Sequence, residues 1–273
     1  MDLDFHAHFN LDDPAAIKIY ADNCLKNNTR SAISGGLRYG ARDYVPNDRV
    51  IDFCKQYSDI LIPVAKVDLW DHEIDLSELR RWVDRGAKAV KFIYPYYPYD
   101  HDLYMPVYEE CEKLGVPVLF HTGNYRPSPA DIQWKRPILK NMDPLNLDRP
   151  ARSFQKLHIV LAHLGTTFWR VQASEMLKMH ANVYADLAGN GSWQDLSAES
   201  LAYLLRPYVF LCEDTSRYFR KLVFGSDSYI NYPNVQTDAK LHYEQILRKI
   251  GATEDLRNAV MGGTVSAWMG LKD

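Results

Sequence analysis

Short apolar runs alternate with amphipathic stretches along almost the whole chain. Strand-like runs recur near Leu3–His8, Ser31–Gly35, Leu61–Val67, Ala87–Ile93, Val116–His121, His158–His163, Val183–Leu187 and Leu222–Asp227. Helical spacing of apolar residues marks the intervals Pro14–Leu25, Asn47–Tyr57, Leu76–Arg85, Leu103–Leu114, Asp143–Gln155, Phe168–His180 and Ala198–Asp214. Two further helices are expected near Val235–Ile250 and Glu254–Trp268. Asp13 before Pro14, and Asn47, read as helix N-caps, while Gly86 and Gly115 fall just past helix ends, where a left-handed residue is wanted. Strict alternation of strand and helix implies parallel strands with right-handed crossovers. Eight strands favour a closed (β/α)8 TIM barrel, with the last helices packed on it, over an open doubly wound sheet. No glycine-rich phosphate loop follows the first strand. Residues 1–273 read as one domain without repeat or linker.

Composition narrows this little further. The 273 residues suit one barrel, which needs about 250. Hydrophobic residues make up 47% and charged residues 25%, enough for a sizeable core. A net charge of −3 gives no electrostatic case for nucleic acid or an anionic membrane surface as partner. No apolar run approaches the roughly 20 residues that span a bilayer. The N-terminal MDLDFHAHF lacks a basic segment ahead of an apolar core, so a cytoplasmic protein is expected. Cys24, Cys54, Cys111 and Cys212 are scattered and read as small buried residues rather than disulfides or metal knuckles.

Candidate chemistry gathers at the strand ends. His6 and His8 flank Ala7 at the end of the first strand, and side chains two apart on a strand share a face. Two imidazoles so placed suit one divalent metal. His121, His163 and Asp227 each close a later apolar run. In a barrel these ends converge on one rim, where active sites of the fold are built. By strand parity Ile159, Leu161 and His163 share one face, as do Val223, Gly225 and Asp227. An ion there would polarise a substrate oxygen and lower the pKa of water. Asp227 suits a ligand, a general base, or both in turn. His163 can complete the coordination shell or act beside it as proton donor or transition-state stabiliser.

Lys91 is a charged residue inside an apolar strand and is costly there unless paired or facing a polar cavity. It can contact an anionic substrate, pair with Asp227 or another rim carboxylate, or, least favoured, be carbamylated between two metals. Three odd segments follow strands: 94–100, rich in tyrosine; 122–141, with Arg126; and the glycine-rich 188–193. Arg38 and Arg126 are candidates for holding a carboxylate. Tyr94, its loop neighbours and Trp193 can wall an aromatic or unsaturated substrate. His72, His158, His180 and His242 fall in polar loops or helical stretches and are expected to be solvated, and His101 is expected to have no role.

These residues resemble the amidohydrolase superfamily, in particular its amidohydrolase-related branch, which includes aminocarboxymuconate-semialdehyde and γ-resorcylate decarboxylases. The resemblance is carried by 4-DFHAH-8, 86-GAKAVK-91, 115-GVPVLFHTG-123, 162-AHLG-165, 182-NVYAD-186 and 224-FGSD-227, and so spans nearly the whole chain. It implies a distorted TIM barrel with one divalent ion, zinc first and manganese next. It implies His6, His8, His121 and Asp227 as ligands and His163 as a catalytic residue near the metal. Segment 261–268 departs from the pattern by lacking the Asn and Arg often found there. Two reactions share such a site: hydrolysis of an amide, ester or lactone carbonyl, and non-oxidative decarboxylation of an unsaturated or aromatic acid. The chain is short for the decarboxylases, which favours a hydrolase acting on a small substrate. A barrel that has lost catalysis and only binds is the third reading, and a homo-oligomer is compatible with the fold.

Overall fold

A computed structural model describes residues 1–35, 45–125, 138–189, 195–208 and 216–271. The eight strands are β1 (Asp2–Phe9), β2 (Thr29–Gly35), β3 (Leu61–Val67), β4 (Ala89–Phe92), β5 (Val118–Phe120), β6 (Ile159–Leu161), β7 (Val183–Ala185) and β8 (Ser228–Tyr229). All pair in parallel, in the order β7-β6-β5-β4-β3-β2-β1-β8. The run Leu222–Asp227 lies wholly ahead of the paired residues of β8 and closes the circle. Leu222 bridges to Ala185 of β7, Val223 N donates to Ala185 O at 2.9 Å, and Phe5 N donates to Phe224 O at 2.9 Å. The (β/α)8 barrel expected from the alternation is therefore the fold.

The lumen is lined by Leu3, Phe5, Ala32, Ile62, Val64, Ala89, Leu119 and Val160 of β1 to β6, with Ala162 just past β6 and Val223 in the run ahead of β8. Val265 and Met269 of the C-terminal segment, with Trp268 against them, floor it from below. The opposite faces of the strands pack on the helices, as Val90, Phe92, Val118 and Phe120 do against Val107 and Tyr108. Burial of apolar side chains on both faces of a parallel sheet explains why the strands read as near-continuous apolar runs.

Asp13 caps helix Pro14–Lys26 through its carboxylate, which accepts from Ala15 N at 2.9 Å. Asn47 is not the cap of helix Asn47–Gln56; Pro46 holds that position. The Asn47 amide instead clasps β3, accepting from Lys66 N at 2.9 Å and donating to Lys66 O at 2.8 Å. Gly115 adopts the left-handed conformation at a helix end, as expected. Expected helix Asp143–Gln155 divides into a tight turn, Pro144–Leu147, and a short helix, Asp148–Ser153. The helix after β7 spans only Ala198–Leu204. Final helix Glu254–Trp268 is interrupted by a π-turn, Ala259–Gly263, where Gly262 has φ 132°. A Cβ on Gly262 would lie 2.5 Å from Leu3 N, so only glycine lets this turn close against β1. No helix among the described residues is long and apolar enough to cross a membrane.

Candidate functional site

Two local irregularities aim the polar side chains into the lumen. Strict alternation would place Leu3, Phe5 and Ala7 on one face of β1 and Asp4, His6 and His8 on the other. The register against β2 slips between Asp4 and Ala7. Leu3 and Phe5 face the lumen, Ala7 and Phe9 pack outward, and His6 and His8 nonetheless point inward with the site. A bulge inverts parity, and here it converts an apolar lumen face into a ligand face. His163 is turned by a different device. Ile159 and Leu161 face the helices, so the parity expected for His163 pointed the wrong way. The strand stops at Leu161, and a tight turn with φ of 67° at His163 and 43° at Leu164 swings the imidazole inward. Asp227 has φ 57° and Tyr94 φ 52°. Non-glycine residues in this region are strained, and His163, Asp227 and Tyr94 bring three of these four to one mouth, as functional sites do.

His6 Nε2 lies 3.2 Å and His8 Nε2 2.9 Å from Asp227 Oδ1. Lys91 Nζ touches His6 Nε2 and lies 3.0 Å from His8 Nε2. His6 Nδ1 donates to Asp186 Oδ2 at 2.8 Å. The other oxygen of Asp186 accepts from His163 N at 2.7 Å and Ala188 N at 3.0 Å. The sequence pattern assigns Asp186 no role, though its place at the end of the seventh apolar run is a usable signal. Gly225 makes room for this pair; an added Cβ would meet His6 Cβ at 2.9 Å and Asp186 Cβ at 3.0 Å. Behind the site, Asp4 accepts from His6 N, Ser226 N, Ser226 Oγ and Gln236 Nε2, tying the bulge of β1 to the segment that carries Asp227.

The hydrogen bonds settle the tautomers of the inner histidines. Ala188 O can only accept, so His163 Nδ1, 2.8 Å from it, carries the proton. The neutral ring's Nε2 therefore accepts from His121 Nδ1 at 3.1 Å. That leaves His121 Nε2 as a bare lone pair, buried and without a hydrogen-bond partner. Burial holds His163 below the ordinary histidine range, and burial with His163 and Lys91 holds His121 well below it. Burial and Lys91 push His8 down to about 3. Burial raises Asp227, but His6, His8 and His163 outweigh it and keep the carboxylate well below its usual range. Burial also pushes Lys91 down to about 8, with Asp227 and Asp186 opposing.

Two groupings of donor atoms among the described residues fit a metal ion: His6, His8 and Asp227, and His6, His163 and Asp186. The first offers two imidazoles and a carboxylate, a set that suits zinc or manganese. The Asp186–His6 bond fixes Nε2 as the inward nitrogen, the usual second contact of a metal-bound histidine. His121 stands one imidazole back, in contact with His163 and with the Tyr94 ring, whose centroid is 4.8 Å away. Tyr229 stacks on His8 at 4.9 Å. Arg38, Arg126 and Trp193 lie outside the described residues. Of the remaining histidines, His72 is exposed, but His180 is buried against Asp148 and His158 stacks on Trp268 at the barrel floor. His101 caps a turn by accepting from Leu103 N.

A family model described as amidohydrolase matches residues 4–265. Among solved structures, an uncharacterised TIM-barrel protein from Bordetella bronchiseptica superposes with a TM-score of 0.69 at 17% identity, covering 98% of this chain and 99% of that one. A probable 2-pyrone-4,6-dicarboxylic acid hydrolase from Acinetobacter baumannii, with citric acid bound, gives 0.66 at 13% identity over 99% of both chains. The 2,6-dihydroxybenzoate decarboxylase from Rhizobium gives 0.62 at 15% identity over 98% of both. No curated protein sequence matches this one.

Proposed function

Since this chain belongs to the amidohydrolase family, we propose that it is a metal-dependent hydrolase that opens an amide, ester or lactone carbonyl of a small carboxylate-bearing substrate. The observation that carries this reading is the convergence of His6 Nε2 and His8 Nε2 on Asp227 Oδ1 inside a buried lumen. His6, His8 and Asp227 would hold one divalent ion, zinc or manganese, with the bare Nε2 of His121 the next available nitrogen. Such an ion would polarise the carbonyl and bring a water's pKa toward neutrality. Asp227 is ionised and takes the proton of the attacking water at its carboxylate, then returns it to the leaving group. Asp186 keeps His6 in the required tautomer. Lys91 Nζ supplies positive charge beside the oxygen on which negative charge develops. His163 keeps its Nε2 lone pair on His121 Nδ1–H, so its part in this reading is to hold His121 and steady the developing negative charge rather than to take a proton. The tyrosines 94, 125 and 229 wall the mouth.

Elemental analysis of the purified protein, with His6→Ala as control, comes first. The expected result is about one zinc or manganese per chain, lost in the variant. Turnover is then followed over lactones, esters, amides and unsaturated or aromatic acids. Acid release from a carbonyl substrate, abolished in Asp227→Asn, supports hydrolysis. Release of carbon dioxide from an aromatic acid, with no hydrolysis, would replace it with decarboxylation. Absence of metal even after reconstitution would sink the metal-dependent reading.

A further inference from the structure

We infer that Lys66, beside Lys91 on the lumen wall, is the docking point for a carboxylate of the substrate, one separate from the carbonyl that is cleaved. The inference rests on the hydrolase reading only in taking this mouth as the substrate's entrance. Lys66 and Lys91 are direct partners in the pairing of β3 with β4. Each stands two residues beyond a lumen residue, Val64 and Ala89, so both extend the inner face toward the mouth. Lys66 is 9% exposed and Lys91 1%.

Like charges directly opposite on neighbouring strands oppose folding. A buried ammonium costs more still unless an anion compensates it. Asp227 and Asp186, the carboxylates whose charges act most on Lys91, are engaged with imidazoles. Lys66 Nζ donates to Asp68 Oδ1 at 2.8 Å, and Asp68 is the more exposed partner, with 31% of its side chain accessible against 8%. The pair therefore sits at the entrance with its carboxylate on the solvent side. The Lys66 backbone is clamped on both its N–H and C=O by the Asn47 amide, which fixes where the side chain starts. Two fixed cations on one wall form a site that an incoming carboxylate completes by competing with Asp68. Lys66, like Lys91, is a charge inside an apolar run, but only the strand register places the two side by side.

The test is calorimetric titration of the full-length protein with isophthalate as probe and isophthalamide as its uncharged isostere. Loss of a charge-assisted hydrogen bond predicts that Lys66→Met weakens isophthalate by about tenfold or more. Isophthalamide affinity stays unchanged, and Lys66→Arg keeps most of the isophthalate affinity. Asp68→Asn removes the competing carboxylate and strengthens isophthalate binding several-fold, a gain that structural damage would not produce. If Lys66→Met and Asp68→Asn both leave isophthalate binding unchanged, or both weaken it together with thermal stability, the ion pair is structural and the inference is wrong. Failure to bind isophthalate at all overturns it too. Failure of the hydrolase reading looks different: no carbonyl compound is turned over, while isophthalate binding still follows Lys66.

Discussion

Gly225→Ala is the most direct probe of how the site is held together. An alanine Cβ there would lie 2.9 Å from His6 Cβ, 3.0 Å from Asp186 Cβ and 3.1 Å from Asp186 Cγ. Carbon atoms pack best at about 3.5–4.0 Å, so each contact overlaps by roughly half an ångström or more. Neither obstructing residue can yield cheaply. The two nearest atoms are first side-chain carbons, which move only with their backbones, and Asp186 Cγ is held because the two side chains are joined by the 2.8 Å bond between His6 Nδ1 and Asp186 Oδ2. Overpacking of this kind costs about 1–3 kcal/mol. Relief comes from separating His6 and Asp186, and loss of such an outer contact weakens metal binding by about 10–100-fold. Thermal denaturation of the metal-stripped variant reads the first effect, and zinc affinity by chelator competition reads the second. Gly115→Ala serves as control. Its φ of 67° carries a left-handed penalty of about 1–2 kcal/mol, but nothing lies within 4 Å of the added carbon, so metal affinity should not change. A Gly225→Ala protein that melts with wild type and binds zinc equally well would refute the account of this contact.

Asp186→Asn should retain the fold but lower zinc affinity by about 10–100-fold, measured by the same competition; an unchanged affinity would remove Asp186 from the site. Burial holds His158 below its ordinary value of 6.5, so at acid pH the unfolded chain binds the proton that the folded one refuses. Stability therefore falls as pH drops through 6.5 toward the depressed folded value, and His158→Phe, which keeps the stack on Trp268, should flatten that decline in denaturant titrations across pH. Burial pushes the Cys24 thiol up to about 12 and raises Cys54 and Cys111 further, so iodoacetamide at pH 8 should leave all three unmodified in the native protein and label them once it is unfolded. Native-state labelling of any of the three, seen by mass spectrometry, would contradict their burial.

The chain's periodicity by itself determined the element order and the parallel barrel, because the alternation of strand and helix is a local property that short-range sterics and burial impose. It also placed His6, His8, Lys91 and Asp227 at one rim, since strand ends converge in any barrel. Boundaries and faces were less legible. His163 sits on the lumen side because a positive-φ turn replaces the strand's last residues, and His6 because a bulge inverts the parity of β1. Neither has a period to read. The positions of Asp186 and Lys66 are visible in their apolar runs, but their roles and the Asp4 tie are not, because their meaning resides in partners 25 to more than 200 residues away, set by register and closure of the barrel. A hydrophobic pattern specifies which face is buried; only the packed barrel decides which polar groups meet there.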